Sequence, residues 1–241
     1  RKAGRLDDLM RAAANRTTLL DLGSQREEAL EGIKSVLVEA EVGGLAASYG
    51  ALRRGNGADI LYHLGRWPQA EAECRYALFW SLSALEGEWW PRLVLGLLMT
   101  DSRGDDESAR LVSQAVLQLE SVPAGQWTGH MLRAAVSQAL WSGDPAAALG
   151  IAEREWPRSL DSDEMGIVAW AAATCLEAAA AAAEHGRASS DPGLITRARA
   201  LADRVMPEAE EQIARSPFGP ELGARQEADL WLATARAHAD R

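Results

Sequence analysis

The chain has 241 residues, a formal charge of -10, 47% hydrophobic and 25% charged side chains. That apolar content excludes disorder, and a folded body of this size hides roughly 70–75% of the surface its unfolded chain exposes, so no disulfide or metal staple is needed. The acidic balance excludes duplex DNA and anionic membranes as main partners, because both require clustered cations; only Lys2 and Lys34 are lysines.

In chain order, Arg1-Lys2-Ala3-Gly4-Arg5 has no signal-type apolar core behind it, and the start without Met points to a piece of a longer or processed chain. No uninterrupted apolar run reaches the roughly 18 residues of a membrane span. Ser24-Gln25-Arg26-Glu27 reads as a capping box ahead of Ala29, Leu30, Ile33, Val36 and Leu37, whose spacing gives a helix one buried face. Cys74 and Cys175, both in apolar or Ala-rich surroundings, read as buried small hydrophobes in a reducing cytoplasm. Strand signals are nearly absent: Asn56-Gly57 lies inside a helical pattern, not between alternating runs.

A repeat then appears. Gly65, Gly104 and Gly143 are 39 residues apart, each followed five residues later by Ala (Ala70, Ala109, Ala148). Small residues stand eight before each Gly (Gly57, Gly96, Ala135) and nine after (Cys74, Ser113, Ala152), and large apolar ones thirteen after (Leu78, Leu117, Trp156). Small residues let antiparallel helices approach, and each Gly permits the positive φ that ends a helix. Beyond Gly143 the spacing changes. A longer helix from about 163 to 185, with six consecutive Ala at 178–183, a turn over 186–193, and a helix opened by Asp191-Pro192 form an expanded pair; Pro220-Glu221 opens a last helix to about 239. The expectation is a single all-α domain of about eleven helices: N-terminal helices over 1–42, three repeats over 43–160, and an expanded repeat with a terminal helix over 161–241.

Leu61-Tyr62-His63-Leu64-Gly65-Arg66-Trp67-Pro68-Gln69-Ala70 resembles a tetratricopeptide repeat, with Gly65, Trp67 and Ala70 at that family's turn spacing. The copies at Gly104 and Gly143 lose the aromatic. The resemblance implies a tetratricopeptide-like α-solenoid of antiparallel hairpins. Gly50-Ala51, Gly55-Asn56, Leu64-Gly65-Arg66-Trp67, Ala70-Glu71-Ala72, the stretch Ala139 to Ala148 and Glu227-Ala228-Asp229-Leu230 further resemble the sensor region of large ATP-binding LuxR-type transcriptional regulators. That family carries a nucleotide-binding module before such an arm and a helix-turn-helix after it.

Neither module is in this chain. Lys34-Ser35 follows Ile33, so no Gly-x4-Gly-Lys-Ser/Thr loop exists, and the segment from Glu208 to Arg241 is mixed in charge instead of a basic recognition helix. His63, His130, His185 and His238 show no metal-binding spacing, so the expectation is no metal, cofactor or catalytic residue. Asp101, Asp105, Asp106 and Glu107 lack the alternation of a calcium loop and are assigned to a helix N-terminus.

In tetratricopeptide arrays, positions two, three and six before the turn Gly line the concave face. The resemblance thus implies a groove of Asp59, Tyr62, His63, Leu98, Asp101, Ser137 and Trp141, with His130 and Arg133 farther along. Aromatics and Arg dominate binding hot spots, which suits a protein, peptide or small-molecule effector. Tyr62 and Trp141 read more readily as packing between repeats, and of Trp89-Trp90 one ring is expected in the core and the other at a rim or interface. The function expected is a non-catalytic, cytoplasmic sensing arm with no direct nucleic-acid or membrane contact; the alternative is a scaffold or self-association module, such as a homodimer.

Overall fold

The computed structural model describes residues 2–44, 46–80, 89–119, 127–162, 164–216 and 224–240. Among them are eleven α-helices and no strand: α1 (Lys2–Leu22), α2 (Arg26–Val42), α3 (Ala46–His63), α4 (Trp67–Trp80), α5 (Trp89–Ser102), α6 (Asp106–Leu119), α7 (Thr128–Trp141), α8 (Pro145–Ser159), α9 (Met165–Ser189), α10 (Pro192–Arg215) and α11 (Ala224–Ala239). The chain is all-α, as its patterning implied. Pro220-Glu221 and Leu117's side chain fall outside what is described.

The turns follow from backbone sterics. Gly65, Gly104 and Gly143 have φ of +71°, +57° and +74°. Beyond them the chain folds back: the Arg66 amide donates to the Leu61 carbonyl and the Asp144 amide to that of Ala139, closing helix ends with a six-to-one bond. Helix starts are capped by carboxylates. Asp105, Asp144 and Asp191 accept from the amides of Ser108, Ala147 and Leu194 at 2.9, 2.9 and 3.0 Å, and Pro145 and Pro192 sit where a missing N–H costs nothing.

Each helix packs on its sequence neighbours through α9, and α3, α5, α7 and α9 also pack on one another in succession, forming an inner layer. Small residues make this fit. A Cβ on Gly96 would lie 3.0 Å from Val112, and one on Gly55 only 2.6 Å from the ring of Trp90. α9 is the axis of the C-terminal half, burying Ala169, Ala172, Cys175, Leu176 and Ala182 against α8, α10 and α11. It is long and apolar enough to cross a membrane, and most of its apolar stretch is buried by the protein itself.

Four local expectations change. Ser24 does not cap α2: it has φ +58° and ends α1 in the left-handed conformation, while its hydroxyl donates to Glu227 of α11. Gly186 is not in a turn but inside α9, where a Cβ would lie 2.9 Å from Ile195; the left-handed residue is Ser190. The buried face of α6 is set by Ser108, Leu111, Val112 and Ala115, so Ala109 and Ser113 are off the register of Ala70/Cys74 and Ala148/Ala152. Finally, Asp101 does not cap α6; it lies in the last turn of α5 and engages Tyr62 and Arg133. Cys74 and Cys175 are free and buried, as expected.

Candidate functional site

The residues expected to share one groove divide among three places. Leu98 is in the core at 2% exposure and lines nothing. Asp101, Arg133, Ser137 and Trp141 line an outer depression shared by α4, α5, α7 and α9, and Tyr62 of α3 borders it through Asp101. The Tyr62 hydroxyl donates to Asp101 Oδ2 at 2.5 Å, and Arg133 bridges Asp101 and Glu177. Burial and the adjacent Asp101 carboxylate push the Tyr62 phenol well above its ordinary range, so it remains a donor. Trp141 packs on the backbone of Gly104, where a Cβ would come within 2.4 Å of its ring.

Asp59, His63 and His130 go elsewhere. They line a partly open cavity of about 160 Å³ with residues from α1, α2, α3, α5, α7, α9 and α11. One part of its wall is aromatic. Trp127 meets Trp90 at a centroid distance of 4.5 Å, His130 stands edge-on to both Trp90 and Trp170 at 4.9 Å, and Trp231 lies 6.1 Å from Trp170. Trp90 is 2% exposed and Trp89 only half-buried, which divides the pair as its adjacency requires.

The rest of the wall is acidic. Asp21, Asp59, Glu164 and Glu227 face it with one guanidinium, Arg26. Arg26 holds both oxygens of Glu227, at 2.7 and 2.9 Å, and its Nε reaches Asp21 at 3.2 Å. Glu227 stays below its usual range because the guanidinium outweighs the effect of burial. Asp21 does not: burial, with repulsion from Asp59, raises it to about 7. The cavity wall therefore crowds carboxyl groups together, and Asp21 holds its proton because of it.

Asp59 and His63 stand one turn apart on α3, so they share a face, and His130 comes from the first turn of α7. His130 Nε2 lies 3.2 Å from Asp59 Oδ1, and His63 Nε2 lies 3.7 Å from the same oxygen. Burial lowers His63 to about 4, leaving a neutral imidazole. Burial also opposes charge on His130, but the Asp59 carboxylate more than offsets it, and the imidazolium in turn holds Asp59 below its usual range against burial. Despite their closeness the atoms are not aligned for hydrogen bonding. Asp59 Oδ1, both ring nitrogens of His130 and Trp90 Nε1 are buried without a hydrogen-bond partner.

Sequence reasoning found Asp59, His63 and His130 but not the walls built by α1, α2 and α11. The i,i+4 spacing of Asp59 and His63 was readable; the approach of Glu227 to Arg26 across 201 residues carries no local signal. Compared with known proteins, the chain matches no family model, no curated protein and no solved structure.

Proposed function

We propose that the chain is a non-catalytic sensing arm of a bacterial transcriptional regulator of the LuxR type, and that its effector is a small cation-bearing molecule bound inside the tryptophan-walled cavity. The reading supposes a cytoplasmic protein whose neighbouring ATPase and helix-turn-helix modules receive the signal, with no nucleic-acid contact by this arm. One observation carries the ligand assignment: four buried polar atoms without an aligned hydrogen bond, on Asp59, His130 and Trp90, are gathered at one cavity, and the Asp59–His130 contact at 3.2 Å is one of charge alone. Buried polar atoms are normally paired, so such a concentration marks a place where a ligand completes the bonding. Indole faces complement cations, and about 160 Å³ is the scale of a cavity that holds a benzene-sized body.

The position also suits signalling. The walls come from both ends of the chain, so a bound molecule would tie α1 and α2 to α11 and stiffen the arm end to end. Titration with tetramethylammonium and benzylammonium should change the tryptophan fluorescence of the wild type saturably, and Trp170→Ala should weaken the response at least tenfold. Cations that leave the fluorescence unchanged up to millimolar concentration, while neutral or anionic analogues bind, would refute the assignment. A self-association module is the second reading, favoured by the exposed apolar side chains Val42 (87%) and Phe79 (71%). Sedimentation showing a concentration-dependent dimer, with no ligand response, would select it.

A further inference from the structure

Asp59, His63 and His130 have a geometry that ordinary packing does not explain. Their ligating atoms, one carboxylate oxygen and two imidazole nitrogens, all lie within 4.8 Å of one another. The side chains of Asp59 and His130 are only 10% and 9% exposed, yet Asp59 Oδ1 and His130 Nε2 approach to 3.2 Å without a hydrogen bond. A carboxylate oxygen and two imidazole nitrogens that converge in a buried site form a coordination edge once an ion displaces the proton from His130.

We propose that these three residues bind a divalent first-row transition ion of the zinc class, with its remaining position turned toward the cavity. The proposal rests on the reading of this cavity as a cation site and adds a metal ion at its Asp59–His63–His130 edge. Bonds of about 2.0–2.2 Å from zinc to nitrogen or oxygen place tetrahedral ligands about 3.3–3.5 Å apart. The His130–Asp59 separation of 3.2 Å already matches, and the His63–Asp59 separation of 3.7 Å is a few tenths of an ångström longer. The imidazole nitrogens, within 4.8 Å of each other, need to draw together by at most about 1.5 Å, which χ rotations on two facing helices supply.

Donor chemistry selects the ion. Two imidazoles and one carboxylate favour zinc, iron(II), cobalt or nickel over magnesium and calcium, which prefer all-oxygen sets. With three protein ligands the shell is incomplete, which is the pattern of sites that keep a position for water or a bound molecule. Asp21 stands in the surrounding wall, where its raised carboxyl can release a proton to offset the charge an ion brings. Trp90 and Trp170 pack edge-on against His130, and Trp170 against His63, so indole rings border the proposed ligands.

The test uses the 241-residue chain without a histidine tag. Calorimetric titration with zinc in a weak chelating buffer should show one equivalent bound at micromolar concentration or below, and cobalt(II) should acquire the visible absorption of a low-symmetry four- or five-coordinate ion. His130→Ala and Asp59→Asn should each weaken zinc binding at least 100-fold, while His185→Ala, altering an exposed histidine, leaves it unchanged. Because variants at buried positions can fail to fold, X-ray absorption of wild-type protein loaded with zinc is the decisive measurement: two imidazoles and one carboxylate are expected, and a shell without imidazole overturns the proposal. Absence of stoichiometric zinc binding overturns it as well. If tetramethylammonium or benzylammonium still binds in that case, the effector cavity stands and only the metal assignment falls; if neither cation nor zinc binds, both fall.

Discussion

At Gly104 two constraints meet in one residue. Its φ of +57° disfavours any Cβ, and the space that Cβ would enter is filled by the ring of Trp141 at 2.4 Å. Gly143 has a similar φ of +74° but nothing within 4 Å. The two therefore separate strain from collision: Gly143→Ala should cost about 1–2 kcal/mol and Gly104→Ala about 2–4 kcal/mol in urea denaturation. Equal losses would mean that Trp141 moves aside freely. Asp21 gives a second test, through pH. Its carboxyl is raised to about 7 in the folded state from an ordinary 3.8, so the native state holds a proton that the unfolded state releases. The contribution of this group to stability is most favourable below pH 4 and is lost as pH rises toward 7. Asp21→Asn retains an acceptor for Arg26 without the ionisation. Its side chain keeps 25% exposure, so the advantage of the variant over wild type should grow by only about 1–2 kcal/mol between pH 4.5 and pH 8. A constant difference would show that Asp21 titrates normally.

At the scale of elements, the informative helix is α9. Its Ala-rich sequence identifies a helix, but Ala propensity alone does not say whether it is exposed or central. Contact with α7, α8, α10 and α11 decides that: Ala169, Ala171, Ala172, Ala178 and Ala182 are all fully buried. Here Ala sets how closely four neighbours approach. Ala172→Leu should therefore destabilise by about 1–3 kcal/mol despite its better apolar surface, with loss of chemical-shift dispersion in α9 and α10. An unchanged denaturation midpoint would mean that the interface has slack. The repeat itself was legible from its glycines because positive φ is a local demand. The register of α6 was not, since it is seen in the packing of Leu111 and Val112 on Gly96 of the neighbouring helix, a tertiary contact.

At the scale of the molecule, the ends of the chain meet. Ser24 and Arg26 bind Glu227, and this contact closes the wall of the acidic cavity. Arg26 and Glu227 are 20% and 18% exposed, so their bidentate pair escapes most of the screening that weakens surface ion pairs. Arg26→Ala and Glu227→Ala in a double-mutant cycle should show a coupling of about 1–3 kcal/mol, and either single change should speed amide exchange in α11 more than in α8. Additive effects would place the energy of closure in Trp231 and its neighbours instead.

The sequence by itself determined the helical class, the number of helices, the left-handed glycine turns and the Asp-Pro helix start at Asp191. All of these depend on interactions within a few residues, through propensity, capping and backbone sterics. It also marked Asp59, His63 and His130 as inward-facing, though as parts of an open groove shared with Tyr62, Asp101 and Trp141. Only the tertiary structure decided that the groove divides, that Leu98 is core, and that α1, α2 and α11 enclose the histidines with tryptophans and carboxylates. The reason is that a cavity is defined by which faces meet, and faces from opposite ends of the chain meet through the sum of every helix crossing between them, a quantity no local pattern encodes.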